Sequence, residues 1–143
     1  LSNGNDIASA LQMGADIAYM GTRFINVKES QAEQNYKDMI MRSGAEDIVY
    51  TAAVSGVNAS FLRPSLEAMG ITEEQWKDTK KIDFGNTSDL AESEAKAWKT
   101  IWSAGQGVSA ITDSPKVTDL VLQLKSEFIE AVESQKKLLD LYS

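Results

Sequence analysis

The 143-residue chain contains no cysteine and no histidine. The first absence excludes disulfides and thiolate metal sites. The second removes the commonest general base and the commonest metal ligand. Positive charge is scarce: 14 Lys and Arg stand against 21 Asp and Glu, for a net charge of −7. Nucleic-acid binding needs a basic footprint, which such a balance argues against. An acidic surface identifies no partner by itself, because it is common for solubility. No apolar run approaches about 18 residues, so no membrane span is expected. No leader is visible, and the expected location is the cytoplasm. What is present, 43% hydrophobic and 24% charged, is ordinary globular composition, in a length that suffices for one domain with a core.

The run Gly14-Ala15-Asp16-Ile17-Ala18-Tyr19-Met20-Gly21-Thr22-Arg23-Phe24 reads as a short buried strand, Asp16 to Met20, ending in a glycine turn with a hydroxyl behind it. Such a turn can hold a phosphate on backbone N–H groups, because Gly21 lets an oxygen approach the main chain with no Cβ in the way. Taken alone, strand-Gly-Thr reads equally as an ordinary strand exit. Asn5 to Met13 reads as a helix capped by Asn3 or Asn5 and stopped by Gly14. Helix, two-residue link and strand make the second half of a β-α-β unit. The first strand would precede Leu1. The expectation is therefore a C-terminal piece of a larger protein.

Further along, Ser30-Gln31-Ala32-Glu33 fits a capping box opening a helix to about Ser43. Asp47 to Val54 is β-prone, with Ile48–Thr51 a candidate strand. Phe61 to Met69 reads as a helix ending at Gly70, and Thr72-Glu73-Glu74-Gln75 as a second capping box. Lys80 to Leu90 reads as a loop, and Ala91 to Ser103 as a helix. Gly105-Gln106-Gly107 breaks that helix. Ser114-Pro115 reads as N-cap and first turn of a long last helix carrying Val117, Leu120, Val121, Leu124, Phe128, Ala131 and Val132 in phase.

Gly4 followed by Asp6 to Asp16, then Tyr19-Met20-Gly21-Thr22-Arg23-Phe24, resembles the nitronate monooxygenase family, formerly the 2-nitropropane dioxygenases. In that family a Gly-Gly pair ends strand seven, a helix of this kind follows, and strand eight ends in a Gln-Met-Gly-Thr-type turn. The two turns together hold the phosphate of FMN. By that spacing the Gly-Gly pair falls just before Leu1. The resemblance continues through Ile25, Lys28-Glu29-Ser30 and Tyr36-Lys37. It resumes at Asp47-Ile48-Val49-Tyr50-Thr51, at Ala97-Trp98 and at Trp102-Ser103-Ala104-Gly105-Gln106-Gly107. The stretch from Ile71 to Asp89 matches least. Tyr19 stands where many members have glutamine, a departure that backbone contacts to phosphate tolerate. The family's catalytic base is a histidine on an earlier part of the barrel. With no histidine here, no catalytic residue is assigned to this chain.

The resemblance implies an α/β fold: the C-terminal part of an FMN-binding (β/α)8 TIM barrel, predominantly helical within this segment. Residues 1–26 would form its last helix-strand unit with the phosphate-binding turn. Residues 27–90 would form an excursion with helices and a short strand, and residues 91–143 the C-terminal helices packing on the barrel. The implied activity is FMN-dependent oxidation of alkyl nitronates by O2 to a carbonyl compound and nitrite. Tyr19, Met20, Gly21 and Thr22 would anchor the FMN phosphate; no metal is expected. The implied partners are the nitronate, O2 and either the N-terminal remainder of the barrel or further copies of the chain. Two alternatives stand beside this reading. One is a related FMN barrel of the enoyl-acyl-carrier-protein reductase type, which shares the strand-eight turn and Lys28-Glu29-Ser30. The other is an inactive helical fragment with no ligand. Individual residues also carry paired readings. Arg23 is a phosphate clamp, or else an ion-pair partner or a surface position after the turn. Gln106 faces the flavin or substrate, or points outward from a loop. Trp98 and Trp102 are core, or shape a nonpolar substrate pocket.

Overall fold

The computed structural model describes residues 1–78 and 100–142. Helix α1 spans Gly4–Gln12, and Asn3 caps it by accepting from the Asp6 N–H at 2.8 Å. Gly14 ends the excursion at φ +97°, a left-handed turn that glycine adopts without strain. Residues 15–20 then run back without regular structure to the single-turn helix α2, Thr22–Ile25.

The expected strand at Asp16–Met20 does not form. A strand exists through its neighbours' hydrogen bonds, and no described segment pairs with this one. Its side chains nevertheless alternate. Ala18 and Met20 are half-buried, while Ile17 and Tyr19 are 83% and 87% exposed.

Helix α3 spans Gln34–Arg42 and starts later than the Ser30–Glu33 capping box predicts. The Ser30 hydroxyl instead accepts from the Ala32 N–H, a local turn that competes with capping. Strand β1, Ile48–Thr51, forms as expected. It pairs antiparallel with β2, Ala59–Leu62, in the register Ile48 opposite Leu62 through Thr51 opposite Ala59. Phe61 and Leu62 therefore belong to a strand rather than to the helix read from Phe61. Helix α4 begins only at Arg63 and runs to Ala68, with Pro64 in its first turn. The β1 backbone groups need partners, and 59–62 supplies them.

Helix α5, Glu73–Lys77, follows the second capping box: the Thr72 N–H donates to Gln75 Oε1 at 2.8 Å. The loop read at Lys80–Leu90, Trp98, and residues 91–99 of the expected helix lie outside the described residues. Thr100 is helical, but 101–104 is extended and lies along β2, with Ser103 bridging Phe61. A 3₁₀ turn covers Gln106–Ala110. The long last helix α6 spans Val117–Tyr142 and starts two residues after Pro115. Its first N–H, on Val117, donates to the Glu29 carboxylate. That carboxylate does the capping the sequence assigned to Ser114.

The hairpin separates two apolar clusters, because successive residues of β2 face opposite sides. Phe61 joins Val54, Leu66, Ile71 and Ile101; Leu62 joins Ile40, Ala104, Val108 and Ile111. A third cluster, Val27, Leu120 and Leu124 with Ile7, Met20 and Phe24, holds α1, α2 and α6 together.

Helices α1 and α6 run side by side in the same direction: the Gly4 N–H donates to Glu127, and Gln12 meets Gln135. The crossing is closest at Gly4, where an added Cβ would overlap the Leu124 carbonyl oxygen and the Phe128 nitrogen. Both obstacles are backbone and cannot swing aside. Gly4→Ala should therefore destabilise the fold by about 1–3 kcal/mol. A urea titration followed by circular dichroism checks this, and an unchanged midpoint would refute the close crossing.

Candidate phosphate-binding turn

The turn at Gly21 is built by the clusters on either side of it. Met20, half-buried against α6, fixes the approach; Phe24 and Val27 fix the departure. Gly21 has φ −99° and ψ −70°, an ordinary conformation, so the backbone itself does not demand glycine. An added Cβ would meet nothing within 4 Å. The turn thus opens onto free space. The N–H groups of Gly21, Thr22 and Arg23 make no hydrogen bond among the described residues, as expected where a helix starts.

The hydroxyl of Thr22 accepts from the Gly105 N–H at 2.9 Å. Its own proton stays available to a ligand. Two residues on, the Gly107 carbonyl accepts from the Ser2 hydroxyl at 2.7 Å. A Cβ at Gly107 would overlap that hydroxyl. The 105–107 loop therefore touches both the segment entering α1 and the Gly21–Thr22 turn. In the sequence these are separate motifs. Their convergence had no signal in the chain, since 83 residues separate Thr22 from Gly105. Gln106, between the two contacts, is exposed. Of the four predicted site residues, Met20, Gly21 and Thr22 lie together at the turn, while Tyr19 lies on the exposed side of the segment leading in.

Arg23 is an ion-pair partner and not a surface position. Its side chain is 3% exposed, and Nη2 donates to Asp113 Oδ1 at 2.7 Å. Nη1 lies near the carbonyls of Asp113 and Asn26, at 3.4 and 3.5 Å. Asp113 had no sequence signal as its partner. Trp102 is half-buried and stacks on Tyr36, with ring centroids 5.1 Å apart. It also lines an open cleft of about 700 Å³ with Met39, Arg42, Pro64 and Met69. The Tyr36 hydroxyl donates to the Ser103 carbonyl, and burial pushes its ionisation above the ordinary 10.0. No group of acidic side chains that could hold a metal occurs among the described residues. No described helix is long and apolar enough to cross a membrane.

The nitronate monooxygenase family model matches residues 1–127. A nitronate monooxygenase of Paraburkholderia phytofirmans is 28% identical over 143 residues, covering 96% of this chain and 38% of the relative. Among solved structures, a variant of FabK from Thermotoga maritima superposes with a TM-score of 0.70 at 26% identity, covering 96% of this chain and 42% of that one. A nitroalkane oxidase from Streptomyces ansochromogenes superposes with a TM-score of 0.63 at 26% identity, covering 94% and 39%. The chain thus spans less than half the length of the proteins it matches. These neighbours are TIM-barrel flavoenzymes, and the mostly helical chain has the fold of part of such a barrel, as the sequence led us to expect.

Two outcomes follow from the geometry. Arg23→Met leaves behind carbonyl acceptors and a carboxylate, 57% exposed, that water solvates, and should cost about 1–3 kcal/mol. Asp113→Asn leaves the guanidinium, 3% exposed, without its counter-charge and should cost more, about 3–5 kcal/mol. A larger loss for Arg23→Met than for Asp113→Asn in thermal unfolding would contradict the asymmetry. For Tyr36, the raised pKa means that above pH 10 the unfolded chain releases a proton that the folded chain keeps. Stability should therefore fall as pH rises from 10 through the folded pKa. Tyr36→Phe should flatten that part of the stability profile; an unchanged alkaline slope would show that another group is responsible.

Proposed function

Because the chain belongs to the nitronate monooxygenase family, we propose that it supplies part of the FMN phosphate site of an oxidoreductase. The enzyme would oxidise alkyl nitronates with O2 to a carbonyl compound and nitrite. The observation that carries this reading is the Gly21 turn. Three unpartnered N–H groups and one hydroxyl proton stand at open space, at the position where the family resemblance puts the cofactor phosphate. These donors fit a phosphate, whose oxygens accept several short hydrogen bonds. When bound, the flavin supplies the redox chemistry.

This chain's residues bind and orient. Gly21 admits a phosphate oxygen to the main chain. Thr22 offers its hydroxyl while the Gly105 N–H fixes that oxygen's position. Met20, held by the α6 cluster, sets the direction of the turn, and Tyr19 leads into it. The catalytic base is not supplied here, because the chain has no histidine.

The exposed side chains of Met13, Ile17 and Tyr19 fit the same reading. A barrel strand is apolar on both faces, one toward the helices and one toward the barrel interior. Here the helical face, Ala18 and Met20, is covered, and the other is open. The rest of the barrel would cover it. A related FMN barrel of the enoyl-acyl-carrier-protein reductase type shares the turn and Lys28-Glu29-Ser30. NADH consumption with an enoyl thioester, and none of nitronate, would favour it.

The turn is tested in the full-length protein. Gly21→Val should keep the fold, because a Cβ there meets no neighbour and φ is ordinary. It should nevertheless abolish FMN retention, because the side chain occupies the approach. Thr22→Val should weaken retention less, since the N–H groups remain. Flavin fluorescence released on denaturing equal amounts of each variant reads the outcome, with circular dichroism as the folding control. A full flavin complement in Gly21→Val would remove the main support for the site.

A further inference from the structure

Two cations lie buried beyond the Gly21–Thr22 turn: Arg23, 3% exposed, and Lys37, 6% exposed. Arg23 is matched by Asp113. Lys37 is matched by no acid among the described residues. Its ammonium donates to the carbonyls of Val27 and Ser30, at 2.7 and 2.9 Å, and no carboxylate lies within ion-pair distance among the described residues. Beside it Asn26 is fully buried. Its amide nitrogen donates to the Lys37 carbonyl at 3.1 Å, while its oxygen Oδ1 has no partner.

Holding two carbonyl oxygens does not require a charge. A neutral amide would do so at far lower desolvation cost than a buried ammonium. The positive charge itself is therefore the feature to explain. It lies close to the turn. Val27, whose carbonyl Lys37 holds, shares an apolar cluster with Met20 and Phe24. From Thr22 to Val27 is five residues, on the order of 10 Å along the chain. Over such a separation inside a protein, a unit charge acts appreciably on a doubly charged anion.

We propose that Lys37 is the buried counter-charge of the phosphate site: it acts on the cofactor phosphate without touching it, and so makes the site prefer FMN over riboflavin. The inference rests on the phosphate reading of the Gly21 turn given above. The turn offers only neutral donors, and the Arg23 charge is already matched. Lys37 therefore supplies the net positive field that a dianionic ligand balances, and its burial keeps that field out of reach of salt.

The experiment titrates the flavin-free full-length protein with FMN and with riboflavin, following quenching of flavin fluorescence. Wild type, Lys37→Gln and Lys37→Arg are compared. Wild type should favour FMN. Lys37→Gln should lose at least about ten-fold in FMN affinity with riboflavin affinity unchanged. Lys37→Arg, which keeps the charge, should retain the preference. Equal losses for both flavins in Lys37→Gln would reduce Lys37 to a structural residue and overturn the proposal; so would a full FMN preference in that variant. A second measurement needs no variant: between about 0.05 M and about 1 M salt, the wild-type preference for FMN should change by less than about two-fold. A collapse of the preference would place the responsible charge at the surface and overturn the proposal. Absence of any FMN preference in wild type would instead bring down the phosphate reading itself.

Discussion

A buried guanidinium cannot be left without acceptors, and in this chain that requirement decides where the last third crosses the first. Arg23 follows directly on the Gly21–Thr22 turn, and its acceptors are the Asp113 carboxylate and backbone carbonyls. Satisfying it brings residue 113 against α2. The Lys28 N–H then donates to the Pro115 carbonyl at 2.9 Å, and the Glu29 carboxylate receives the first N–H of α6. From that point helix α6 lays Leu120 and Leu124 on Val27 and runs on beside α1. The buried cation thus ties the start of the longest helix to α2.

The same crossing shapes the candidate site. With α6 held in place, Met20 is clamped on one side of the turn, and Gly21 faces open space. The 105–107 loop closes the other side through the Thr22 hydroxyl and the Ser2 hydroxyl. The turn is therefore defined by packing behind it and by two side-chain hydrogen bonds beside it. Its own donors stay free. That combination, rigid support with unpartnered N–H groups, is what an anion site needs, because donors already aimed at the ligand need no reorganisation when it binds.

The hairpin does separate work. Phe61 and Leu62 of β2 are buried on opposite sides, in two clusters, and residues 102–104 lie against its edge. Through Trp102, stacked on Tyr36, this layer reaches α3, which carries Lys37. The part of the chain that holds the buried ammonium and the part that holds the loop over Thr22 are thus tied to one apolar layer.

What the sequence determined by itself was local. Helical periodicity and caps located α1, α5 and most of α6, and the β-branched run located β1. The Gly21-Thr22 pair, with its family resemblance, located the turn. Those features depend on residues within one or two turns of each other, where propensity and capping act. The tertiary structure decided the rest. The strand read at Asp16–Met20 has the alternation of a strand and no partner to make it one, because pairing is a property of neighbours rather than of the run itself. Phe61 and Leu62 left a helix-like stretch for a strand because β1 needed acceptors and donors. The capping of α6 by Glu29, the matching of Arg23 by Asp113 and the seating of Gly105 on Thr22 join residues 83 to 90 positions apart. Contacts at that separation leave no periodic trace in the chain, because they are set by where whole elements cross.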